Sequence, residues 1–156
     1  MQKLRFSKVR DVKSPERGTP ESAGIDFFVP NDYTGPRVND FATTTLRPGQ
    51  DVNIPSGIHV DVPKGYALIA FNKSGVAVNK QLQVGACVVD EDYQGEVHIH
   101  VRNIGTGTTT IVRGEKLVQF ILIPVLYLEP VETKIENLYT EKTIRGTGAF
   151  GHTGIS

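Results

Sequence analysis

Residues suited to β-strands gather in short runs along this chain, and turn residues cut the runs apart. The runs are Val52 to Ile54, Ile58 to Val62, Tyr66 to Phe71, Val97 to Val101, Thr108 to Val112 and Leu117 to Leu128. Between them stand Pro48-Gly49, Pro55-Ser56-Gly57, Pro63-Lys64-Gly65, Gly105-Thr106-Gly107 and Arg113-Gly114, all strong turn formers. Many short strands at such spacing predict an all-β chain, as a sandwich, a jelly roll or a barrel. Helical periodicity is scarce. Asn72 to Gln81 is the one place for a helix, starting near Ser74 and kept short by Gly75 and two valines. Asn31 to Thr45 is polar and Thr-rich, which predicts a surface loop, and no internal repeat is present.

The stretch GACVVDEDYQGE, from Gly85 to Glu96, sets an apolar strand, acids and a tyrosine around one turn. Gly85 to Val89 are expected to form a buried strand. Asp90 to Gln94 then reverse the chain with Gly95 at φ > 0, and Val97, Ile99 and Val101 return on alternate positions. Asp90 directly follows the outgoing strand, where partial desolvation raises a carboxylate's proton affinity. A carboxylate so placed is a candidate general base. The same DED also reads as an acidic surface turn, and the rest of the chain has to decide between the two.

Composition narrows the setting. A length of 156 residues suits one domain with a real core. With 17 basic and 17 acidic side chains the formal charge is zero, so no basic field exists to hold nucleic acid. The N-terminal MQKLRFSKVRDVK lacks the apolar stretch of a secretory signal, and no run reaches the length of a membrane span. A lone Cys87 has no disulfide partner within the chain. The expectation is a soluble, cytoplasmic protein. Thr143 to Ser156 differ from the rest, with four glycines and little to anchor them. This segment is expected to be a mobile arm. It carries a cation, Arg145, and an aromatic plate, Phe150, a pairing that suits closure over an anionic, aromatic ligand.

Five motifs in order span nearly the whole chain: Ala23-Gly24-Ile25-Asp26, Lys73-Ser74-Gly75-Val76-Ala77, Gly85 to Gly95, Gly114-Glu115-Lys116-Leu117-Val118-Gln119, and RGTGAFGHTG from Arg145 to Gly154. In these the chain resembles the homotrimeric dUTPases, which hydrolyse dUTP to dUMP and pyrophosphate, supplying dUMP and keeping uracil out of DNA. The resemblance implies a distorted jelly-roll or β-sandwich subunit over residues 1–142 with at most one short helix. It also implies a flexible arm over 143–156 that closes over the active site, a homotrimer and Mg²⁺. Residue by residue, it implies that Asp90 activates the water that attacks the α-phosphate. Tyr93 packs on the sugar and excludes a 2′-hydroxyl, while main-chain groups of Cys87, Val88 and Val89, with His98 opposite, read uracil. Lys73, Ser74, Gly75, Gln119 and Arg145 contact phosphates, and Gly151, His152 and Thr153 serve the γ-phosphate. Phe150 stacks on the base, and Asp26 holds a water bound to the metal. Neither nucleic acid nor membrane is an expected partner, and for a viral enzyme the compartment would be the host cytoplasm.

The chain departs from the family pattern at Lys73, where arginine is usual, at Cys87 and Ala149, where glycine is usual, and at His152, where a small hydroxyl residue is usual. Lysine keeps the charge and loses the planar fork, and at Cys87 a positive φ would be costly. His98 and His100 share one face of a strand, a spacing that zinc sites use, yet no third ligand lies near in sequence and ordinary strand histidines are expected. Cys87 lacks a basic partner and reads as a small buried residue. Glu91, Asp92 and Glu96 read as solvated turn charges, with an Asx-type bond from Asp92 holding the hairpin. Two other readings remain open: a dCTP deaminase-like enzyme of the same fold, for which Glu96 is the one acid available, and a non-catalytic trimeric binding or regulatory protein.

Overall fold

Ten strands and two short helices build the chain, whose computed structural model describes residues 3–35 and 43–149. The strands are β1 (Arg5–Lys8), β2 (Ile25–Phe28), β3 (Thr43–Leu46), β4 (Asp51–Asp61), β5 (Tyr66–Asn72), β6 (Leu82–Val84), β7 (Val88–Val89), β8 (Glu96–Asn103), β9 (Thr109–Val112) and β10 (Lys116–Pro124). The helices are α1 (Ser74–Lys80) and α2 (Ile135–Leu138). Every strand pair is antiparallel, in two four-stranded sheets of order β1-β4-β8-β6 and β2-β10-β5-β7, with a two-stranded β3-β9 ribbon. Residues of both larger sheets enter one core. Alternation drives this burial: Val97, Ile99 and Val101 point inward from β8, and Val52, Ile54, Ile58 and Val60 from β4. Phe27 and Phe120 meet at the centre with ring centroids 4.5 Å apart.

The chain divides into one unit over Met1–Leu126 and a second over Tyr127–Ser156. In the second, the described residues are almost all exposed, and α2 is a single turn beyond the one helix expected. Thr143 and Arg145 close small turns there, accepting from Gly146 N at 3.1 Å and Gly148 N at 3.0 Å. The Nε of Arg145 donates to Gly148 O at 2.9 Å.

Several expectations change. The two runs on either side of Pro55-Ser56-Gly57 form one strand, not two. The register of β4 against β8 shifts between Pro55 and His59, so these turn residues make a bulge inside a continuous strand. Gly57 has φ +76°, while Ser56 Oγ and the Glu96 carboxylate accept the N–H groups of Ile58 and Gly57 that the bulge takes out of the ladder. The run Leu117 to Leu128 ends as a strand at Pro124, because its neighbour β5 begins opposite, at Tyr66. Thr43 to Thr45, expected as loop, pair with β9, and residues 36–42 of that stretch lie outside the described residues. β1 and β2 were not expected as strands: all four residues of β1 are exposed, so it has no buried face to mark it. Helix α1 starts at Ser74 as expected and stops at Gln81, held at φ 52°.

Gly85 to Val89 is not a buried strand. Only Val88 and Val89 pair, with Ile69 and Leu68, and only Val89 is buried. Gly95 does not take positive φ. Glycine is needed there because a Cβ would overlap the Tyr93 ring. Cys87 likewise sits at an ordinary φ, so its side chain brings no backbone strain.

Candidate active site

The turn after β7 is closed by Tyr93 N donating to Asp90 O at 3.2 Å. That geometry brings Tyr93 back over the start of β8, where its hydroxyl donates to Glu96 O at 2.9 Å. The result is a cavity of about 140 Å³ lined by residues 86–89, Tyr93, residues 96–98 and Phe120. This volume is well below that of a whole-ligand pocket and suits a single flat ring. Asp90 follows Val89 at its rim and is exposed, so the partial desolvation expected of it is not present in the single chain, because the strand before it is short and only Val89 of it is buried.

The cavity walls are held mainly by main-chain bonds. Ala70 N donates to Cys87 O at 2.8 Å, tying the wall to β5. His98 Nδ1 donates to Glu96 O at 3.0 Å. His100 packs against Gly85, where a Cβ would overlap its ring, and accepts Ala86 N at its Nδ1 at 2.9 Å. Its Nε2 reaches Asp51 Oδ2 at 3.1 Å, and this hydrogen bond lowers the Asp51 carboxyl from its ordinary range. Both histidines therefore act as strand residues that buttress a wall, and among the described residues no group of three His, Cys, Asp or Glu could hold a metal. Cys87 is a half-buried free thiol in the wall.

The acids of the hairpin are less solvated than expected. Glu91 accepts Gly65 N. Glu96 accepts Gly57 N at 2.7 Å and pairs with Arg10, Nε to Oε1 at 2.7 Å and Nη2 to Oε2 at 3.1 Å. Burial pushes the Glu96 carboxyl up, but the Arg10 fork and the Gly57 N–H outweigh it and leave it below the ordinary range. Asp92 is exposed, and the turn it was expected to hold is closed by the main chain instead.

A second cluster gathers where β2, β10 and the end of β5 meet. Gln119 pairs with both Asp26 and Phe71 in register. Asp26, only 3% exposed, forms ion pairs with Lys73 Nζ and with Lys116 Nζ, the latter at 3.3 Å. A buried carboxylate requires such partners. Gly24 must lack a side chain because a Cβ would overlap Gln119, whose Nε2 donates to Asn72 O at 2.8 Å. Lys73 leads into α1, whose first residues, Ser74 and Gly75, are exposed. The far end of α1 is tied down by Lys80, which pairs with Glu115 and donates to Thr110 O at 2.9 Å. Gly114, with φ +76°, turns the chain between β9 and β10 and donates to Val29 O at 2.8 Å. Asp26 offers hard carboxylate oxygens of the kind magnesium's water shell accepts, but both are engaged by lysines, so a metal-held water would reach it only with a lysine turned aside.

The two clusters stand apart within one chain. Val89 pairs with Leu68, whereas Lys73 and Ser74 follow the other end of β5. At ~3.3 Å per extended residue, Asp90 and Ser74 are separated by roughly 20 Å. Arg145 belongs to the second unit, and Phe150, Gly151, His152 and Thr153 lie outside the described residues. Sequence reasoning missed Phe120, Lys116 and Arg10. Phe120 was legible as an apolar position of β10 and Lys116 as part of the fourth motif, but nothing near Arg10 in sequence points to Glu96.

Comparison with known proteins agrees with these motifs. The family model described as dUTPase matches residues 10–154. The chain is 35% identical over 152 residues to a deoxyuridine 5'-triphosphate nucleotidohydrolase of Chlamydia muridarum, covering 96% of this chain and 97% of that one. It is 38% identical over 155 residues to the enzyme of the same name from Desulfotalea psychrophila, covering 97% and 94%. In structure it is similar to a mutant dUTPase of Staphylococcus bacteriophage 80alpha solved with dUpNHpp, with a TM-score of 0.81, 20% identity and coverage of 99% and 100%. A mutant dUTPase of S. aureus phage phi11, solved to describe coordination of a structural Mg(II) ion, matches with a TM-score of 0.71, 21% identity and coverage of 86% and 99%. With the five motifs in order on an antiparallel β-fold and a family match over nearly its full length, the chain belongs to the dUTPase family.

Proposed function

We propose that this chain hydrolyses dUTP to dUMP and pyrophosphate, and that its active site is completed by more than one copy of the chain. The observation that carries this reading is the ring-sized cavity beside Asp90, set roughly 20 Å from the cationic cluster by the length of β5. Uracil enters the cavity and meets main-chain groups of Cys87, Val88 and Val89, with His98 across from them. Uracil and cytosine exchange a donor and an acceptor at one ring position, so a cytosine leaves buried polar groups unpaired, at about 1–3 kcal/mol each. The Tyr93 ring lies against the deoxyribose and clashes with a 2′-hydroxyl.

Asp90 orients a water and takes its proton as the oxygen attacks the α-phosphorus, and pyrophosphate leaves with the electron pair of the broken P–O bond. Lys73, the Ser74 hydroxyl, the Gly75 amide and Gln119 bind the phosphates. Lys73 shifts from Asp26 toward the anion as it does so. Asp26 would hold a Mg²⁺ ion through its water shell, and the metal when bound would neutralise charge on the leaving pyrophosphate. Because Asp90 and Ser74 of one chain are too far apart for one triphosphate, a homotrimer supplies them from different copies. The arm over residues 143–156 closes the site, with Arg145 on the distal phosphates, Gly151, His152 and Thr153 on the γ-phosphate and Phe150 on the base.

A deaminase reading is disfavoured because both carboxylate oxygens of Glu96 are engaged by Arg10 and Gly57. A purely binding role is tested by activity. No helix among the described residues is long and apolar enough to cross a membrane, and a cytoplasmic setting fits a nucleotide substrate. Pyrophosphate release from dUTP, dCTP and UTP with Mg²⁺ tests the reading: release from dUTP alone supports it, and release from none of the three overturns it.

A further inference from the structure

We infer that Arg10 and Glu96 form a positioning clamp that sets the sugar and base selectivity of the cavity, although Arg10 is not part of its lining. Arg10 follows β1, and Glu96 opens β8 on the far side of β4. The guanidinium grips both carboxylate oxygens, at 2.7 and 3.1 Å, in the planar fork geometry that only arginine offers. The same carboxylate accepts Gly57 N at 2.7 Å, within the β4 bulge. Gly57 is also what lets Arg10 approach: a Cβ there would come within 2.9 Å of both Arg10 Cβ and Val12 Cγ1. The segment after β1 and the strands β4 and β8 thus converge on one side chain that is 17% exposed.

What the clamp holds is the Glu96 main chain. Its carbonyl accepts from the Tyr93 hydroxyl at 2.9 Å and from His98 Nδ1 at 3.0 Å. Tyr93, Glu96 and His98 all line the cavity, Tyr93 on the side assigned to the sugar and His98 across from the base-reading strand. Tyr93 is 43% exposed and sits beside Gly95, so its own packing fixes it weakly and the bond to Glu96 O has to do so. A rotation of the peptide after Glu96 would move both side chains together. Arg10 therefore acts on selectivity at one remove, through Glu96.

This inference rests on the dUTPase reading, and the experiment separates the two. The unmodified chain, Arg10→Gln, Arg10→Lys, Glu96→Gln and the double variant Arg10→Gln/Glu96→Gln are compared for kcat and KM on dUTP and UTP, for binding of dUMP against UMP, and for Tm. Each Gln single is expected to lower the dUTP:UTP ratio of kcat/KM by at least ~3-fold, mainly through KM, and the double by no more than the larger single, since coupled residues are non-additive. Arg10→Lys should recover part of the ratio, because it keeps the charge and loses the fork. The dUMP:UMP binding ratio should fall in step. Variants that lose Tm while both ratios stay unchanged make the pair a brace for the β4 bulge and overturn the clamp alone. An unmodified chain that neither hydrolyses dUTP nor prefers dUMP overturns the dUTPase reading and the clamp with it.

Discussion

At the Leu68 end of β5 the cavity is walled by main chain, and its fixing bonds are mostly neutral: Ala70 to Cys87, Ala86 to His100, Tyr93 and His98 to Glu96. At the Asn72 end the side chains are ionic, with buried Asp26 between Lys73 and Lys116 and exposed Ser74 and Gly75 beyond. Under the proposed function, the first arrangement would discriminate by shape and by donor-acceptor order, and the second would supply charge that any polyphosphate satisfies. On that reading selectivity and phosphate binding are separable along a single strand, and variants at either end are expected to fail in different ways.

The largest effect is expected at Asp90, on the rim of the cavity. Asp90→Asn keeps the shape of the turn and removes the proton acceptor, so kcat on dUTP should drop ~10²–10⁴-fold while dUTP binding by calorimetry stays nearly the same. Retention of activity within about threefold would remove Asp90 from the mechanism, since a general base is worth far more. Deleting residues 144–156 comes next. Turnover should fall ~10²-fold or more, the scale of lost positioning, with thermal stability almost unchanged. A truncated chain at the normal rate would mean that the segment takes no part in closure.

Tyr93→Ala should act on selectivity. The dUTP:UTP ratio of kcat/KM is expected to fall by ~1–3 kcal/mol equivalent, and an unchanged ratio would place sugar reading elsewhere. The smallest effect is a pH dependence of stability. The Glu96 carboxyl lies below its ordinary value in the folded chain, so its contribution is complete above the unfolded pKa and is lost as pH falls through the folded one. Glu96→Gln should therefore be less stable than the unmodified chain at neutral pH in urea titrations. The gap should narrow as pH drops below the ordinary carboxylate range, and a gap constant with pH would mean that packing at this position, not charge, is what matters.

Much of this was legible in the sequence, for identifiable reasons. The alternation of Val97, Ile99 and Val101 marked β8, and Gly75 with its valines bounded α1. The motifs contained Asp26, Lys73, Lys116 and Gln119 of one cluster and Cys87 to Val89 and Tyr93 of the other, but not Phe120. What stayed hidden depends on partners distant in the chain. Pro55-Ser56-Gly57 reads locally as a turn, and only Glu96 and Ser56 capping the freed N–H groups allow it to remain strand. Glu96 reads as a turn charge because Arg10, its partner, lies far away in sequence. Asp26 sits in a short glycine motif with no mark of burial, and its pairing with Lys73 requires β2 to lie beside β10. Edge strand β1 buries nothing and leaves no periodic trace.

Subunit complementation tests the central claim most directly, that one chain's Asp90 serves another chain's Ser74. Asp90→Asn and Ser74→Asp, each inactive alone, are unfolded together in equal amounts, refolded, and assayed for pyrophosphate release from dUTP. In randomly mixed trimers every hybrid contains one site with both residues intact, so activity should return to about a quarter of normal. A mixture that assembles into hybrid trimers and stays inactive would contradict the claim.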